Sequence, residues 1–409
     1  SALNTKQAHC RVDTNKIHHY FNSQLSTENN CERRYYPQLT SDVEQITLDD
    51  TENVFITKQE IAVAVSKIAV DTSPGPDHVL LRALKYDTCY EIIASIATTM
   101  LARTLVPECL QKARTVLIFK GGDETNLANW RPITICSVVR RVIERVLDQR
   151  LRSLVTFCEH QRGFTHSPGT LINTAILESI LASAKSQKKD VTLVFLDVSK
   201  AFDNVGHRHL ERTLSSCGLP QKLSRLILEF QKNNTTQFET RNGKTKPISF
   251  KRGVMQGSPL SPSLFNLCTD HILRELSTTD IEDEYGYTVI SGTPSITCLG
   301  FADDTLIVAK DTASARQLTA LTIERYAEIG LHINADKSKC LSITKGVPNY
   351  RILTLPCGKE IPSITSEEII KYLGVTYHDT TIFDAAMCMN KLKTKLDTLA
   401  SSPLLQPHQ

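Results

Sequence analysis

The feature that most constrains this fold is a pair of adjacent aspartates, Asp303 and Asp304, inside the apolar stretch LGFADDTLIVAK at 299–310. In a regular strand, neighbouring side chains point to opposite faces, so one of the two carboxylates would be buried without a partner. A tight turn between two strands avoids that cost. The sequence therefore predicts two strands, Cys298–Ala302 and Leu306–Ala309, with both aspartates at the tip of the hairpin between them.

A third aspartate, Asp197, ends another predicted strand. The segment DVTLVFLDVSKAFDNV at 190–205 is typical of a buried strand that stops at Asp197 and then turns. An aspartate at a strand end, facing an Asp-Asp tip, can hold two hard divalent cations on oxygen ligands. Two such cations stabilise the attacking and leaving oxygens of an in-line phosphoryl displacement. The residues by themselves leave open whether the enzyme is a polymerase or a nuclease.

Length and charge support a large protein that acts on a polyanion. The chain has 409 residues, 41% of them hydrophobic, which is enough for two or three domains. Residues 101–165 carry 11 basic and 6 acidic residues, whereas the whole chain has a net charge of only +3. A basic region together with an acidic hairpin suits a polyanionic substrate whose chemistry needs cations. We expect Arg140, Arg141 and Arg145 to line the path of a template strand.

The cysteines and the hydrophobic pattern indicate the cellular compartment. The 12 cysteines are scattered, with no two within ten residues of each other, so no CxxC or zinc-knuckle spacing occurs. This pattern is typical of reduced thiols inside the cell rather than of a disulfide framework. No signal peptide and no run of about 18 apolar residues is found. We therefore expect a soluble intracellular protein with no membrane partner.

Several other segments predict local structure. TKQE at 57–60 fits a capping box and predicts the start of a helix. RTVLIFKGGDE at 114–124 predicts a strand that ends in a glycine turn, with Lys120 at its lip. RGVMQGSPLSPSLFNL at 252–267 predicts a glycine loop that runs into a helix. Residues 1–55 are polar and weakly patterned, and we assign no chemistry to them.

The order of these blocks resembles a known family. FLDVSKAFD, GVMQGSPLSPSLFNL, FADD, GLHINADKSK and YLGV resemble, in sequence order, the palm motifs of reverse transcriptases. Upstream, SPGPDHV, LIFKGGD, NWRPI and HQRGF are similar to the fingers motifs of the non-LTR retrotransposon branch. The closing KLKTKLDTLASSPLLQPHQ is similar to the start of the thumb in site-specific elements that carry a restriction-like endonuclease. The resemblance covers roughly residues 57–400.

The resemblance implies a right-hand polymerase of the α/β (α+β) class, with fingers, a palm built on an antiparallel sheet, and the beginning of a helical thumb. The expected domains are an unassigned N-terminal segment at 1–55, fingers at 56–190, a palm with the catalytic aspartates at 191–378, and the start of a truncated thumb at 379–409. Further thumb, endonuclease and DNA-binding domains are expected outside this chain.

The resemblance also implies which residues carry the chemistry. Asp197, Asp303 and Asp304 would be catalytic and would bind two Mg²⁺ ions, for which Mn²⁺ can substitute. The backbone carbonyl of Val198 would join them as a metal ligand. Lys337 would be catalytic as the proton donor to the leaving pyrophosphate.

A second group of residues is implied to bind substrates. Lys120 and Arg131 would grip the triphosphate, Phe202 would lie under the sugar of the incoming nucleotide, and Gln256 would contact that nucleotide from the glycine loop. The primer end would be held by Leu373 and Gly374.

The function implied is that of an RNA-directed DNA polymerase of a non-LTR retrotransposon. It would extend a DNA primer 3′-hydroxyl with deoxynucleoside triphosphates, copying a template RNA at nicked target DNA in the nucleus. Three alternatives stay open at this point: another right-hand polymerase, such as an RNA-dependent RNA polymerase or an intron maturase; a catalytically silent RNA-binding remnant; and a two-metal nuclease, which would not need the nucleotide-binding blocks.

Overall fold

The computed structural model of the chain describes residues 10–31, 55–365 and 368–378, so the thumb expected at 379–409 lies outside the described residues. The helices are α1 (Thr14–Leu25), α2 (Lys58–Ser66), α3 (Asp87–Arg103), α4 (Glu108–Gln111), α5 (Val138–Leu154), α6 (Gly169–Ser186), α7 (Ala201–Asn204), α8 (His207–Ser216), α9 (Gln221–Glu229), α10 (Ser261–Leu276), α11 (Thr279–Tyr285) and α12 (Thr312–Glu328).

The strands follow the same chain order and are mostly short. They are β1 (Lys112–Phe119), β2 (Trp130–Cys136), β3 (Val191–Leu196), β4 (Thr235–Thr240), β5 (Gly243–Lys244), β6 (Ile248–Ser249), β7 (Cys298–Phe301), β8 (Asp304–Ala309), β9 (Lys339–Thr344), β10 (Val347–Asn349), β11 (Leu353–Thr354), β12 (Glu360–Ile361), β13 (Ile369–Tyr372) and β14 (Val375–His378).

The chain forms two compact units, each assembled from separated segments. The first unit takes its described residues from Ser1–Glu159, Val198–Arg274 and Glu324–His332, and the second from His160–Asp197, Glu275–Ile323 and Ile333–Gln409. The expected boundaries between fingers and palm stay a prediction.

The first unit is built on a mixed sheet with the strand order β2-β1-β4-β5, and β6 pairs with β4. Strand β1 is antiparallel to β2 and parallel to β4. Helix α1 packs its Ile17, Phe21 and Leu25 into the same core as Phe238 of β4, and the rings of Phe21 and Phe238 stack with centroids 4.4 Å apart. The N-terminal segment that the sequence left unassigned therefore contributes a core helix.

Helix α2 begins where the sequence predicted. Thr57 and Glu60 form the capping box: the Thr57 side chain accepts from the Glu60 backbone N–H, and the Glu60 carboxylate accepts from the Thr57 N–H at 2.8 Å. Two of the backbone donors at a helix start are thereby satisfied by side chains of the same segment. The predicted capping box is confirmed.

Helix α5 contains a buried ion pair, and this corrects the prediction for Arg140. The side chain of Arg140 is 0% exposed and donates to Glu144 Oε1 at 2.8 Å. Its other guanidinium nitrogens donate to Asn234 Oδ1 and to the backbone carbonyls of Leu110 and Phe230. A guanidinium committed to internal acceptors cannot contact a template, so the expected role of Arg140 is wrong.

Its neighbours on α5 are also partly withdrawn from solvent. Arg141 donates to Thr72 Oγ1 at 2.7 Å and to the carbonyl of Ser73, which ties α5 to the turn after α2. Arg145 is half-buried. Some of the basic side chains in residues 101–165 therefore stabilise internal packing.

The second unit is built on an antiparallel sheet with the order β10-β9-β3-β8-β7. Strand β3 is central and pairs antiparallel with both β8 and β9. Val191 and Leu193 of β3 pack in one buried cluster with Leu306 and Val308 of β8 and with Leu181 of α6. The antiparallel sheet expected for the palm is confirmed, and its central strand delivers Asp197 at its end. In the described ranges, none of the helices is both long enough and apolar enough to cross a bilayer.

Candidate active site

The acidic hairpin is formed by β7 and β8 of the second unit. Phe301 pairs with Asp304, so the two residues at the tip are Ala302 and Asp303. The sequence placed both aspartates at the tip; instead, Asp304 is the first residue of β8. Ala302 takes the left-handed conformation, with φ at +56°, which lets the chain reverse within two residues.

Asp197 lies beside this hairpin because β3 pairs with β8. The last registered pair is Leu196 with Thr305, which brings the next residue, Asp197, alongside Asp304. The pKa of Asp304 is raised to about 6, first by partial desolvation of its carboxyl and then by the charges of Asp303 and Asp197. The three carboxylates that the sequence singled out are thus brought together, and their like charges disfavour the fully ionised state.

The donor set suits a hard divalent cation. All three side chains offer only carboxylate oxygens, the ligands that Mg²⁺ prefers, and a bound cation would relieve their mutual repulsion. Across the described residues, no three His, Cys, Asp or Glu side chains are grouped so that they could hold a metal ion by themselves. Mg²⁺ commonly takes one or two protein carboxylates and completes its shell with water and substrate phosphates, and these residues fit that manner of binding.

Lys337 lies in a turn that is attached to Asp197. The backbone N–H of Asn334 donates to the carbonyl of Asp197 at 2.8 Å, and the N–H of Asp197 donates to Ser338 Oγ at 3.1 Å. Ser338 Oγ in turn donates to the carbonyl of Asn334 at 2.7 Å. Lys337 is exposed on this turn, which is hydrogen-bonded to both the backbone N–H and the backbone carbonyl of Asp197.

Leu373 and Gly374 form the tip of the β13–β14 hairpin. Their φ angles are +48° and +84°, and the flanking pair is Tyr372 with Val375, as in a two-residue turn of the mirror-image type. The buried ring of Tyr372 packs edge-to-face on Phe195 of β3, with centroids 5.7 Å apart. The hairpin expected to hold the primer is therefore anchored on the strand that delivers Asp197.

In the first unit, Gln256 is held by a hydrogen bond to Asp203. Its side-chain Nε2 donates to Asp203 Oδ1 at 3.0 Å, and its backbone carbonyl accepts from the N–H of Thr134 in β2 at 2.9 Å. Desolvation raises the pKa of Asp203, and the Gln256 hydrogen bond offsets this only in part. Gly257 has φ at +115° and contacts the Thr134 carbonyl so closely that a Cβ would not fit. The loop thus requires glycine there.

Phe202 and the two predicted phosphate-binding cations also lie in the first unit. The ring of Phe202 stacks on Phe265 with centroids 4.7 Å apart and planes 10° apart. Lys120 directly follows β1, and Arg131 lies opposite Ile118 in β2, so Lys120 and Arg131 share one face of the β1–β2 ladder. Both side chains are exposed. Lys120 is one of the charges that lower the pKa of Asp203.

The structure therefore groups the predicted residues in two sets. The second unit holds the three aspartates, Lys337 and the Leu373–Gly374 tip. The first unit holds Lys120, Arg131, Phe202 and Gln256. Val198 also belongs to the first unit, as the first residue of its second segment. From the sequence, neither Asp203 nor Gln161 was assigned a role in the site. Both lie inside motif blocks, AFD and HQRGF. Each is a polar residue within two positions of a motif aromatic or glycine, and that placement was the signal that could have identified them.

The chain is similar to several known proteins. The family described as "Reverse transcriptase (RNA-dependent DNA polymerase)" matches residues 118–377. A Pol polyprotein from the type-1 retrotransposable element R2 of Popillia japonica is 35% identical over 78% of this chain and 44% of its own length. The polyprotein of the type-2 element R2DM of Drosophila melanogaster is 30% identical over 87% of this chain and 33% of its own length. The chain thus spans less than half of each of these relatives.

A solved structure is also similar, more distantly. It is an apo telomerase from Candida tropicalis truncated from its C-terminal domain, with a TM-score of 0.42 and 11% identity over 62% of this chain and 55% of that one. A similarity at that level carries no argument about the site.

Proposed function

This chain belongs to the reverse transcriptase family, and from that membership we propose that it is the RNA-directed DNA polymerase part of a non-LTR retrotransposon protein. Its similarity to R2 polyproteins supports the site-specific lineage that the closing sequence block predicted. The reaction is attack of a primer 3′-hydroxyl on the α-phosphorus of a deoxynucleoside triphosphate, with release of pyrophosphate.

The observation that carries the proposal is the convergence of Asp197, Asp303 and Asp304 at the end of the central sheet of the second unit. Desolvation and the charges of the other two carboxylates raise the pKa of Asp304, and a bound cation would offset the cost of ionising all three. Divalent cations, Mg²⁺ first and Mn²⁺ as a substitute, would bind these carboxylates and the Val198 carbonyl. When bound, they would make the 3′-hydroxyl more acidic and neutralise charge that develops on the phosphoryl oxygens.

The residues that the motif resemblance assigns to nucleotide binding would select and orient the nucleotide. Lys120 and Arg131, exposed on one face of the β1–β2 ladder, would bind triphosphate oxygens as those become more negative. Gln256, oriented by Asp203, would present its remaining amide groups to the nucleotide. Phe202, backed by Phe265, would pack against the sugar and leave no room for a 2′-hydroxyl.

Two further roles are proposed, for Lys337 and for the Leu373–Gly374 tip. Lys337, fixed by the turn on Asp197, would donate a proton to the leaving pyrophosphate. The Leu373–Gly374 tip would hold the primer end near the carboxylates through its anchor on β3. These assignments follow the motif resemblance, and the hydrogen bonds to Asp197 and the ring contact with β3 support them.

The wider setting belongs to the same proposal. The template would be element RNA, the primer would be nicked target DNA, and the reaction would take place in the nucleus. Binding of RNA and metal by this chain is part of that proposal. The lengths of the R2 relatives allow further domains in the whole protein.

Primer extension tests the function directly. The chain is incubated with a DNA primer annealed to an RNA or a DNA template, with deoxynucleotides and ribonucleotides in parallel and with Mg²⁺ or EDTA. We expect extension on RNA with deoxynucleotides, and its loss in EDTA. A preference for ribonucleotides would indicate an RNA polymerase instead, and RNA binding without extension would indicate a silent remnant.

A further inference from the structure

The turn between β7 and β8 holds its conformation against an intrinsic preference. Ala302 has φ at +56°, a region that residues with a Cβ enter at an energetic cost. The position of Asp303, the next residue, and of Asp304, the first of β8, depends on that conformation. Neighbouring groups must therefore stabilise it.

The side chain that does so is Gln161, which is 3% exposed. Its Oε1 accepts from the N–H of Ala302 at 2.7 Å, and its Nε2 donates to the carbonyl of Ala302 at 3.2 Å. Both backbone polar groups of the left-handed residue are thus bonded to a single carboxamide. The same Oε1 also accepts from the N–H of Gly163 at 2.9 Å, which fixes the side chain to its own loop.

The backbone of that loop is itself fastened to β7. The N–H of Gly300 donates to the carbonyl of His160, and the N–H of Arg162 donates to the carbonyl of Gly300, each at 2.9 Å. Gly163 approaches the Ala302 backbone so closely that any Cβ would clash with it. The loop therefore runs beside β7 like a short parallel strand, and Gln161 reaches from it to the tip.

Helix α6 is hydrogen-bonded to both the loop and β7. Asn173 of α6 is 0% exposed; its Nδ2 donates to the carbonyl of Gly300 at 3.1 Å, and its Oδ1 accepts from Arg162 Nη1 at 3.1 Å. The loop that carries Gln161 is thus held by hydrogen bonds to both β7 and α6.

We propose that Gln161 is a positioning residue: its carboxamide holds the Ala302 backbone in the left-handed conformation, and thereby holds Asp303 and Asp304 ready to bind a divalent cation. Gln161 reaches the carboxylates only through the turn backbone and is not itself a catalytic residue. The inference deepens the proposed function and rests on its assignment of the aspartates as metal ligands. Groups that orient metal ligands commonly change metal affinity about 10–100-fold when they are removed.

The test replaces Gln161 by Met, which keeps the length and removes the three hydrogen bonds. The matched control is Thr192→Val, which removes buried hydroxyl contacts from the end of β3 remote from Asp197. Mn²⁺ binding is measured by the loss of its free electron paramagnetic resonance signal, and amide hydrogen exchange is measured in peptides covering 299–306. The melting temperature of each variant is measured first. The wild type and both variants are then compared at one temperature below all of these values.

We expect Gln161→Met to weaken Mn²⁺ binding about tenfold and to speed exchange at the turn, while Thr192→Val changes neither. In primer extension, kcat should fall and the Mg²⁺ concentration for half-maximal rate should rise. Wild-type Mn²⁺ affinity in Gln161→Met would overturn the inference. Equal weakening of Mn²⁺ binding in both variants would overturn it too, because the effect would then reflect a general loss of stability.

A second variant keeps the test decisive if Gln161→Met folds poorly. Ala302→Gly, added to Gln161→Met, should recover part of the lost Mn²⁺ affinity, since glycine enters the left-handed region without the Cβ penalty. No recovery in a folded double variant would overturn the inference. A wild type that binds Mn²⁺ but does not extend primers would sink the proposed function and leave the role of Gln161 intact, whereas a wild type that binds no Mn²⁺ would overturn both.

Discussion

The side-chain amide of Gln256 donates a 3.0 Å hydrogen bond to the carboxyl of Asp203. The donor lies in the glycine loop and the acceptor lies just after Phe202, so one bond joins the two segments expected to contact the incoming nucleotide. Asp203, to which the sequence assigned no role in the site, therefore orients the side chain of Gln256.

Replacing Asp203 by Ala should release Gln256 and raise the KM for the deoxynucleotide by about 2–10-fold, the net effect of one lost hydrogen bond. Asp203→Asn keeps a carbonyl acceptor and should change KM much less. Steady-state primer extension measures both. Equal effects of the two substitutions, or an effect on kcat alone, would contradict this orientation role.

Replacing Asp303 by Asn keeps the size of the side chain but removes a ligand charge from the site. We expect primer extension to fall by about 100-fold or more, as when a group that stabilises transition-state charge is lost. RNA binding, measured by filter retention, should persist because other residues carry it. Near wild-type extension by this variant would refute the site assignment, and loss of RNA binding would indicate misfolding.

Replacing Asp304 by Asn should change the pH dependence of stability. Because the folded-state pKa of this carboxyl is raised from 3.8 to about 6, the metal-free wild type loses stability as pH rises through that interval and stays less stable above it. The Asn variant lacks this loss, so its Tm at pH 7.5 in EDTA should exceed that of the wild type by about 1–3 °C. At pH 3 the two should converge. A lower Tm for the variant at pH 7.5 would contradict the charge repulsion.

Replacing Arg140 by Met leaves the Glu144 carboxylate buried without its partner. We expect a loss of about 3–5 kcal/mol in the free energy of unfolding, from urea titration. Lys112→Met, which breaks an exposed pair with Glu108, is the control and should show no measurable change. The salt dependence of RNA binding should stay the same in Arg140→Met. A flatter salt dependence with unchanged stability would return Arg140 to the template path.

Replacing Phe202 by Val should relax the choice of sugar. The stack on Phe265 holds the Phe202 ring in place, so a smaller side chain opens room for a 2′-hydroxyl. The ratio of incorporation efficiencies, ribonucleotide over deoxynucleotide, should rise by at least about 10-fold. Phe238→Leu, which disturbs a different aromatic stack in the same unit, should cost stability without moving the ratio. An unchanged ratio in Phe202→Val would rule out this gate.

Local sequence patterns determined much of this protein. An apolar run broken by two adjacent acids allows few structures besides a hairpin, and the structure has one, with its two-residue tip one position earlier than we expected, at Ala302 and Asp303. The capping box at Thr57 and the strand that ends before Asp197 also follow from residue types within a few positions of each other. The ordered motif blocks were enough to predict the family. Helix α1 was missed although Ile17, Phe21 and Leu25 have helical spacing, because its polar surroundings hid the pattern.

Only the tertiary structure decided which polar residues turn inward. Arg140 reads as a solvent-facing cation, yet its acceptors at Leu110, Phe230 and Asn234 come from distant parts of the chain. Gln161 and Ala302 are likewise far apart in sequence, and their pairing exists only because β7 and the loop beside it are brought together. A buried polar group is tolerated only where it finds hydrogen-bond partners. The packing of remote segments determines those partners, and local sequence periodicity does not encode that packing.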